Sequence, residues 1–291
     1  MFTVRRLIPS ALLLATLPLT ACSAGPSASP TPAQHLANTA TPSATASPST
    51  TPTPSPSATP SPAQPRVDCA VNKCLALTFD DGPGPYTDQI LDALVKHKAT
   101  ATFFVLGEQV KAFPKQLQRE HQLGMAIGDH SWSHRDLSRA SREKATEELT
   151  STADVIKQVT GTAPTMVRPP YGAFRKSTPH AGMPFVLWDV DTLDWKNRSA
   201  SRTTELALAG AHRGAIILMH DIHPSTARAV PGMIAALQAK GYTLVTVPEL
   251  LGPMSPGGVY FTATPPSTRP ARPSTRPTPP STRPTPMARR A

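Results

Sequence analysis

Short runs of apolar and β-branched residues recur along the middle of the chain: Leu75 to Phe79, Ala101 to Leu106, Met125 to Asp129, Thr165 to Arg168, Phe185 to Val190, Ala215 to Met219 and Thr243 to Val247. Each is too short for a buried helix and almost continuously apolar, which is how a strand covered on both faces reads. Between them apolar residues return at helical spacing, as in Ile90, Leu91, Leu94 and Val95, or in Leu149, Ala153, Ile156 and Val159. The second series stops at Gly161, a natural helix terminator. Buried strands alternating with helices predict an α/β domain over residues 67–255, with about seven parallel strands in a barrel or an open doubly wound sheet. In either architecture the reactive groups gather at the carboxyl ends of the strands.

The pattern fails at both ends of the chain. Residues 1–22 carry Arg5 and Arg6, an apolar stretch from Leu7 to Leu19, then Leu19-Thr20-Ala21-Cys22. A basic head with a short apolar segment is an export signal, too short to span a bilayer. Its end resembles the lipobox of bacterial lipoproteins, in which the chain is cut before the cysteine and the thiol takes lipid. Lipid on Cys22 would hold the protein at the outer face of the bacterial cell membrane. Residues 23–66 are Ser, Thr, Ala and Pro, with too few large apolar residues to build a core, and read as a disordered stalk. Residues 256–291 read as a disordered basic tail, with Ser-Thr-Arg-Pro repeated at 267, 274 and 281.

The net charge of +10 draws heavily on that tail, through Arg269, Arg272, Arg276, Arg283, Arg289 and Arg290. In an exported protein this points to an anionic wall or membrane surface and not to nucleic acid. Of the three cysteines, Cys69 and Cys74 stand just before the first apolar run. In an oxidising compartment such neighbours pair, and a disulfide there would pin the entry to the first strand.

Five predicted strand ends carry chemistry. The first ends in Asp80-Asp81, the third in Asp129-His130-Ser131-Trp132-Ser133-His134, the fourth in Arg168-Pro169-Pro170-Tyr171-Gly172, the fifth in Asp191-Thr192-Leu193-Asp194-Trp195 and the sixth in His220-Asp221. An isolated Asp pair is usually a solvated turn and an isolated His pair usually structural, so the shared register carries the argument. His130 and His134 are four apart, which aims both imidazoles one way if the segment takes a helical turn. Two histidines and a carboxylate suit a divalent ion that keeps open positions.

Such an ion acidifies a water and polarises a carbonyl, the chemistry of amide or ester hydrolysis. A base and an acid are then needed, and the other Asp of the pair and His220 are the candidates. Spacing does not say which Asp is which. Arg168 offers a fixed fork to orient the base, and Asp194 would hold His220 protonated. Pro169 and Pro170 stiffen the turn that presents the backbone N–H of Tyr171 to a developing oxyanion. Trp195 and Leu218 would wall a small apolar group such as a methyl.

The stretches TFDDGP at 78–83, HSWSH at 130–134, RPPYG at 168–172, DTLDW at 191–195 and LMH at 218–220 together resemble the polysaccharide deacetylase family, carbohydrate esterase family 4, also called the NodB-homology domain. The resemblance implies a distorted (β/α) barrel and metal-dependent removal of acetyl groups from N-acetylated sugar polymers. By its pattern Asp80 is the base, and Asp81, His130 and His134 hold the metal, usually Zn2+. His220 is the general acid, tuned by Asp194 in preference to Asp191, and Arg168 positions Asp80. Tyr171 serves the oxyanion, and Trp195 and Leu218 line the acetyl pocket. For a lipid-anchored, monomeric enzyme the expected partner is an acetylated cell-wall polysaccharide, foremost the N-acetylglucosamine of peptidoglycan. Chitin or chitooligosaccharide, acetylxylan, and a non-catalytic wall-binding lectin are the alternatives.

Overall fold

β1 (Cys74–Asp80) is buried at every position, because β2 (Thr102–Val105) and β6 (Ile216–His220) both lie parallel to it. The computed structural model describes residues 67–263. The predicted signal with Cys22, the stalk and the tail from residue 264 on lie outside the described residues. β3 (Ala126–Asp129) and β5 (Val190–Asp191) extend the sheet in the order β3-β2-β1-β6-β5, and β7 (Thr243–Leu244) pairs with the start of β1. Single parallel bridges carry it on from Asp129 through Val167 to Phe185, the first residue of β4 (Phe185–Val186), which pairs with β8 (Val259–Tyr260). The result is a distorted, barrel-like parallel sheet clothed by helices.

Alternation along β1 divides the core. Leu75, Leu77 and Phe79 pack outward against apolar residues of α1 (Thr87–Lys96) and α7 (Pro224–Ala239). Cys74 and Ala76 pack inward with Phe104, Met166 and Val186. A strand repeats every two residues, so Thr78 and Asp80 continue the inward row. α2 (Gly107–Ala112), α3 (Pro114–Gln122), α4 (Arg142–Thr160), α5 (Asp194–Asn197), α6 (Ala200–Gly210) and α8 (Val247–Leu251) complete the described helices. Gly161 ends α4 in the left-handed conformation, at φ 78°. Among the described residues no helix is long and apolar enough to cross a membrane. Cys69 and Cys74 are joined as a disulfide at the entry to β1.

The structure departs from the sequence reading in four places. Val95 is not on the buried face of α1 but 49% exposed. The run Thr165 to Arg168 supplies only a bridge residue, Val167, since Pro169 and Pro170 bring no N–H to a ladder. The run Phe185 to Val190 splits into β4 and β5, because Arg168 takes the Val186 and Leu187 carbonyls and the Asp189 carboxylate takes the N–H of Ile216. β8, together with Thr262 and Ala263 donating to the Gly214 carbonyl, falls in the stretch expected to be tail.

Candidate active site

Asp80 ends β1 pointing inward, and Arg168 meets it there. The guanidinium is fully buried between the Phe104 ring, 4.0 Å away, and the Trp188 ring, 5.5 Å away. Its Nη1 donates to Asp80 Oδ1 at 2.7 Å and to Thr78 Oγ1 at 2.8 Å, while Nε and Nη2 donate to the Val186 and Leu187 carbonyls. A charge so deeply buried is tolerated only when paired and hydrogen-bonded throughout, so one face of Asp80 is fixed.

At Asp81 the backbone turns left-handed, at φ 73°, and throws the next carboxylate away from Arg168. Asp81 Oδ1 lies 3.5 Å from His130 Nε2 and 3.3 Å from His134 Nε2, and the three donor atoms fall within 4.8 Å of one another. That oxygen is buried without a hydrogen-bond partner in the protein. His130 donates from Nδ1 to the Arg168 carbonyl at 2.6 Å, which leaves the Nε2 lone pair to face the carboxylate, the second bond typical of a ligating histidine. An orphaned carboxylate oxygen and two converging imidazole nitrogens fit a divalent cation. Burial works against the Asp81 charge, but the nearby histidines, His130 foremost, outweigh it and hold the carboxyl well below its usual range. Burial and the neighbouring His130 lower His134, which favours the neutral form that ligates.

The His130–His134 segment is not the helical turn that the spacing had suggested. Ser131 and His134 are left-handed, at φ 71° and 58°, and the loop is tied down from outside. Asp129 Oδ1 accepts from the Ser131 N–H at 2.7 Å. Glu148, buried on α4, accepts from the Ser133 N–H at 2.8 Å and from its hydroxyl at 2.9 Å. Sequence reasoning missed Glu148, although it sits between Ala145 and Leu149 on the apolar face of α4, where a carboxylate needs a reason.

His220 ends β6 and donates from Nδ1 to Asp194 Oδ1 at 2.8 Å. The Asp194 carboxylate, fully buried, also accepts from the His220 and Trp195 N–H groups and from the Thr226 hydroxyl. Asp191 instead accepts from Leu193 N within its own turn, so the partner of His220 is Asp194. Burial lowers the imidazole, but the Asp194 hydrogen bond and charge prevail and push it up to about 9. Burial likewise opposes the Asp194 charge, yet these donors hold it below the usual carboxylate range.

Tyr171 is left-handed at φ 61°, with its ring exposed and edge-on to His134 at 4.5 Å. The turn bonds run from Gly172 and Ala173 and leave the Tyr171 N–H free. Leu218 is buried two residues before His220 on the same side of β6, and Trp195 is 47% exposed. A further carboxylate, noted in the sequence only as part of a strand end, was given no role there. Asp221, fully buried, accepts from the Thr87 hydroxyl and lies so close to Gly82 that a Cβ there would overlap it. Burial pushes Asp221 up to about 7.

A profile of the polysaccharide deacetylase family matches residues 68–183. The peptidoglycan-N-acetylglucosamine deacetylase PgdA of Listeria monocytogenes is 43% identical over 196 residues, covering 66% of this chain and 42% of that protein. The peptidoglycan-N-acetylmuramic acid deacetylase PdaC of Bacillus subtilis is 44% identical over 180 residues, 61% of this chain and 38% of that one. The chain thus matches less than half the length of either. Among solved structures, a T48 deacetylase with substrate is 46% identical with a TM-score of 0.65, over 67% of this chain and 99% of the other. The chain belongs to the polysaccharide deacetylase family.

Proposed function

We propose that the protein removes acetyl groups from N-acetylglucosamine residues of peptidoglycan, using Zn2+ held by Asp81, His130 and His134. The observation that carries this reading is the placing of two prepared groups side by side at the ends of paired strands: Asp80, locked by Arg168, and His220, held protonated by Asp194. Two nitrogen donors and one oxygen suit zinc with a position left open. When bound, the ion supplies Lewis acidity, polarising the acetyl carbonyl and acidifying a water.

The chain does the rest. Asp80 takes the proton of the water that attacks the acetyl carbon, and Arg168 keeps its carboxylate aimed. The Tyr171 N–H stabilises the oxyanion that develops. His220 donates its proton to the departing sugar nitrogen, so that acetate and a free amine leave. Trp195 and Leu218 form the apolar wall for the acetyl methyl. The names of the two bacterial relatives support peptidoglycan as the polymer. In this reading Cys22 carries lipid at the outer face of the membrane, residues 23–66 form the stalk, and the basic tail contacts an anionic surface.

Acetate release from peptidoglycan, chitooligosaccharides and acetylated xylan, with chelator and after zinc restoration, tests the proposal. Peptidoglycan should rank first, chelation should abolish turnover, and Asp80→Asn should lose turnover while still binding glycan. Full activity after complete metal removal, or normal turnover by Asp80→Asn, would refute the mechanism.

A further inference from the structure

Beside the acid end of the site stands a cation that the reaction above does not use. Arg198 follows α5, left-handed at φ 49°, and its side chain is held at two points. Nε donates to the Trp195 carbonyl at 2.8 Å, and Nη1 donates to His223 Nδ1 at 2.6 Å. An arginine can only donate, so His223 accepts at Nδ1 and carries its own proton on Nε2. Burial, and then the charge of Arg198, lower His223 and keep it neutral. Among the described residues no carboxylate lies within ion-pair distance of Arg198. Arg198 is exposed, so its charge needs no acid partner, and it is held by a neutral ring and a carbonyl that leave that charge available.

Its position gives that charge a use. His223 is 95% buried, and its ring centroid lies 5.7 Å from that of His220. The exposed Trp195 and Lys196 sit on the same short helix that leads to Arg198. α7 also begins directly after His223, adding the positive end of its dipole. Among the described residues Nη2 donates to no protein group, so its N–H groups stay available on a guanidinium whose orientation the other two bonds fix. A pre-positioned fork of this kind matches a carboxylate.

We propose that Arg198, oriented by His223 and the Trp195 carbonyl, is a carboxylate-binding subsite that selects glycans bearing an acid next to the sugar being deacetylated. The inference rests on the deacetylase reading above. Two sources share this chemistry in a wall glycan: the ether-linked lactyl carboxylate of a muramic acid residue, and a carboxylate of the peptide that can be attached to it.

The test compares three muramic acid-containing oligosaccharides, with the lactyl group as free acid, as methyl ester and as peptide amide, by steady-state acetate release at low ionic strength. Wild type should prefer the acid to the ester, mainly through KM, and the preference should shrink as salt screens it. Arg198→Gln should lower the acid-to-ester ratio of kcat/KM by roughly three- to tenfold, and Arg198→Lys by less. The ratio is insensitive to a general loss of folding, which would depress both substrates together. A peptide amide that behaves like the ester assigns the site to the lactyl group, and one that behaves like the acid assigns it to the peptide. Acetate release with an unchanged ratio in Arg198→Gln overturns the subsite alone, whereas no release from any substrate overturns the deacetylase reading with it.

Discussion

Asp194→Asn isolates what the buried carboxylate does for His220. The substitution keeps an oxygen to accept from Nδ1 but removes the charge. In the wild type the imidazole stands at about 9 against an ordinary 6.5, a difference equivalent to roughly 3 kcal/mol. Burial alone lowers it, so the variant should titrate at or below its ordinary value. An acid works only while protonated, and activity therefore falls as pH rises through its pKa. At about pH 8 the protonated fraction would drop from about nine-tenths to about 3%, a loss of roughly thirtyfold in rate that shrinks below about pH 6. The folded state has the higher pKa, so the stabilisation is complete below the unfolded value near 6.5 and is lost as pH rises through about 9. The stability gap between wild type and variant should narrow over that window. Initial rates of acetate release across the pH range, with an NMR titration of the imidazole in the metal-free protein, measure both effects. An alkaline limb in the same place for both proteins would show that His220 is not the group whose proton is used.

Other substitutions test the supports of the site. Arg168→Leu strands the buried Asp80 carboxylate and two strand carbonyls, and urea unfolding should show a loss of about 4 kcal/mol; a loss under about 1 kcal/mol would mean that the pair is not structural. Glu148→Leu releases both bonds to Ser133, and chelator competition should find zinc held about 10- to 100-fold more weakly. Unchanged zinc affinity would remove Glu148 from the support of that loop. Opening the Cys69–Cys74 loop should cost about 2 kcal/mol by the chain-entropy relation. The double serine variant and the reduced wild type should therefore share one urea midpoint, and separate midpoints would count against that account.

The sheet was legible where strands are covered on both faces. β1, β2 and β6 are short, buried and nearly all apolar, and their ends carry the ionisable residues that the pattern placed there. It was least legible where side chains replace the ladder: Arg168 and Asp189 divide one apolar run into two strands, and no periodicity encodes that. Glu148 was missed, and Asp221 was placed at a strand end without a role, for a related reason. Each acts through a loop distant in sequence, so its purpose shows only when α4 and the start of α1 are set against the motifs. The choice between Asp191 and Asp194 was a matter of backbone direction: the left-handed Leu193 turns the chain so that Asp191 closes its own turn while Asp194 reaches β6.

The adjacency of Asp80 and Asp81 follows from the same kind of local geometry. Strand alternation alone would put neighbouring side chains on opposite faces of β1, but the left-handed turn at Asp81 brings its carboxylate to the same imidazole, His130, that Asp80 approaches. Asp80 answers to a guanidinium and Asp81 to two imidazoles, of which His130 also lies 3.7 Å from Asp80 Oδ2. A third carboxylate, Asp221, lies against Gly82 immediately after the pair. Three charges so close would repel, but burial raises Asp221 to about 7, and it receives a hydrogen bond from Thr87. It can keep its proton near neutrality beside the ionised Asp81. Gly82 is the residue that permits this arrangement, since any side chain there would occupy the space of the Asp221 carboxylate. The end of β1 thus sets one carboxylate for a proton beside one for a cation, and Asp221, from the end of β6, braces the turn that carries them.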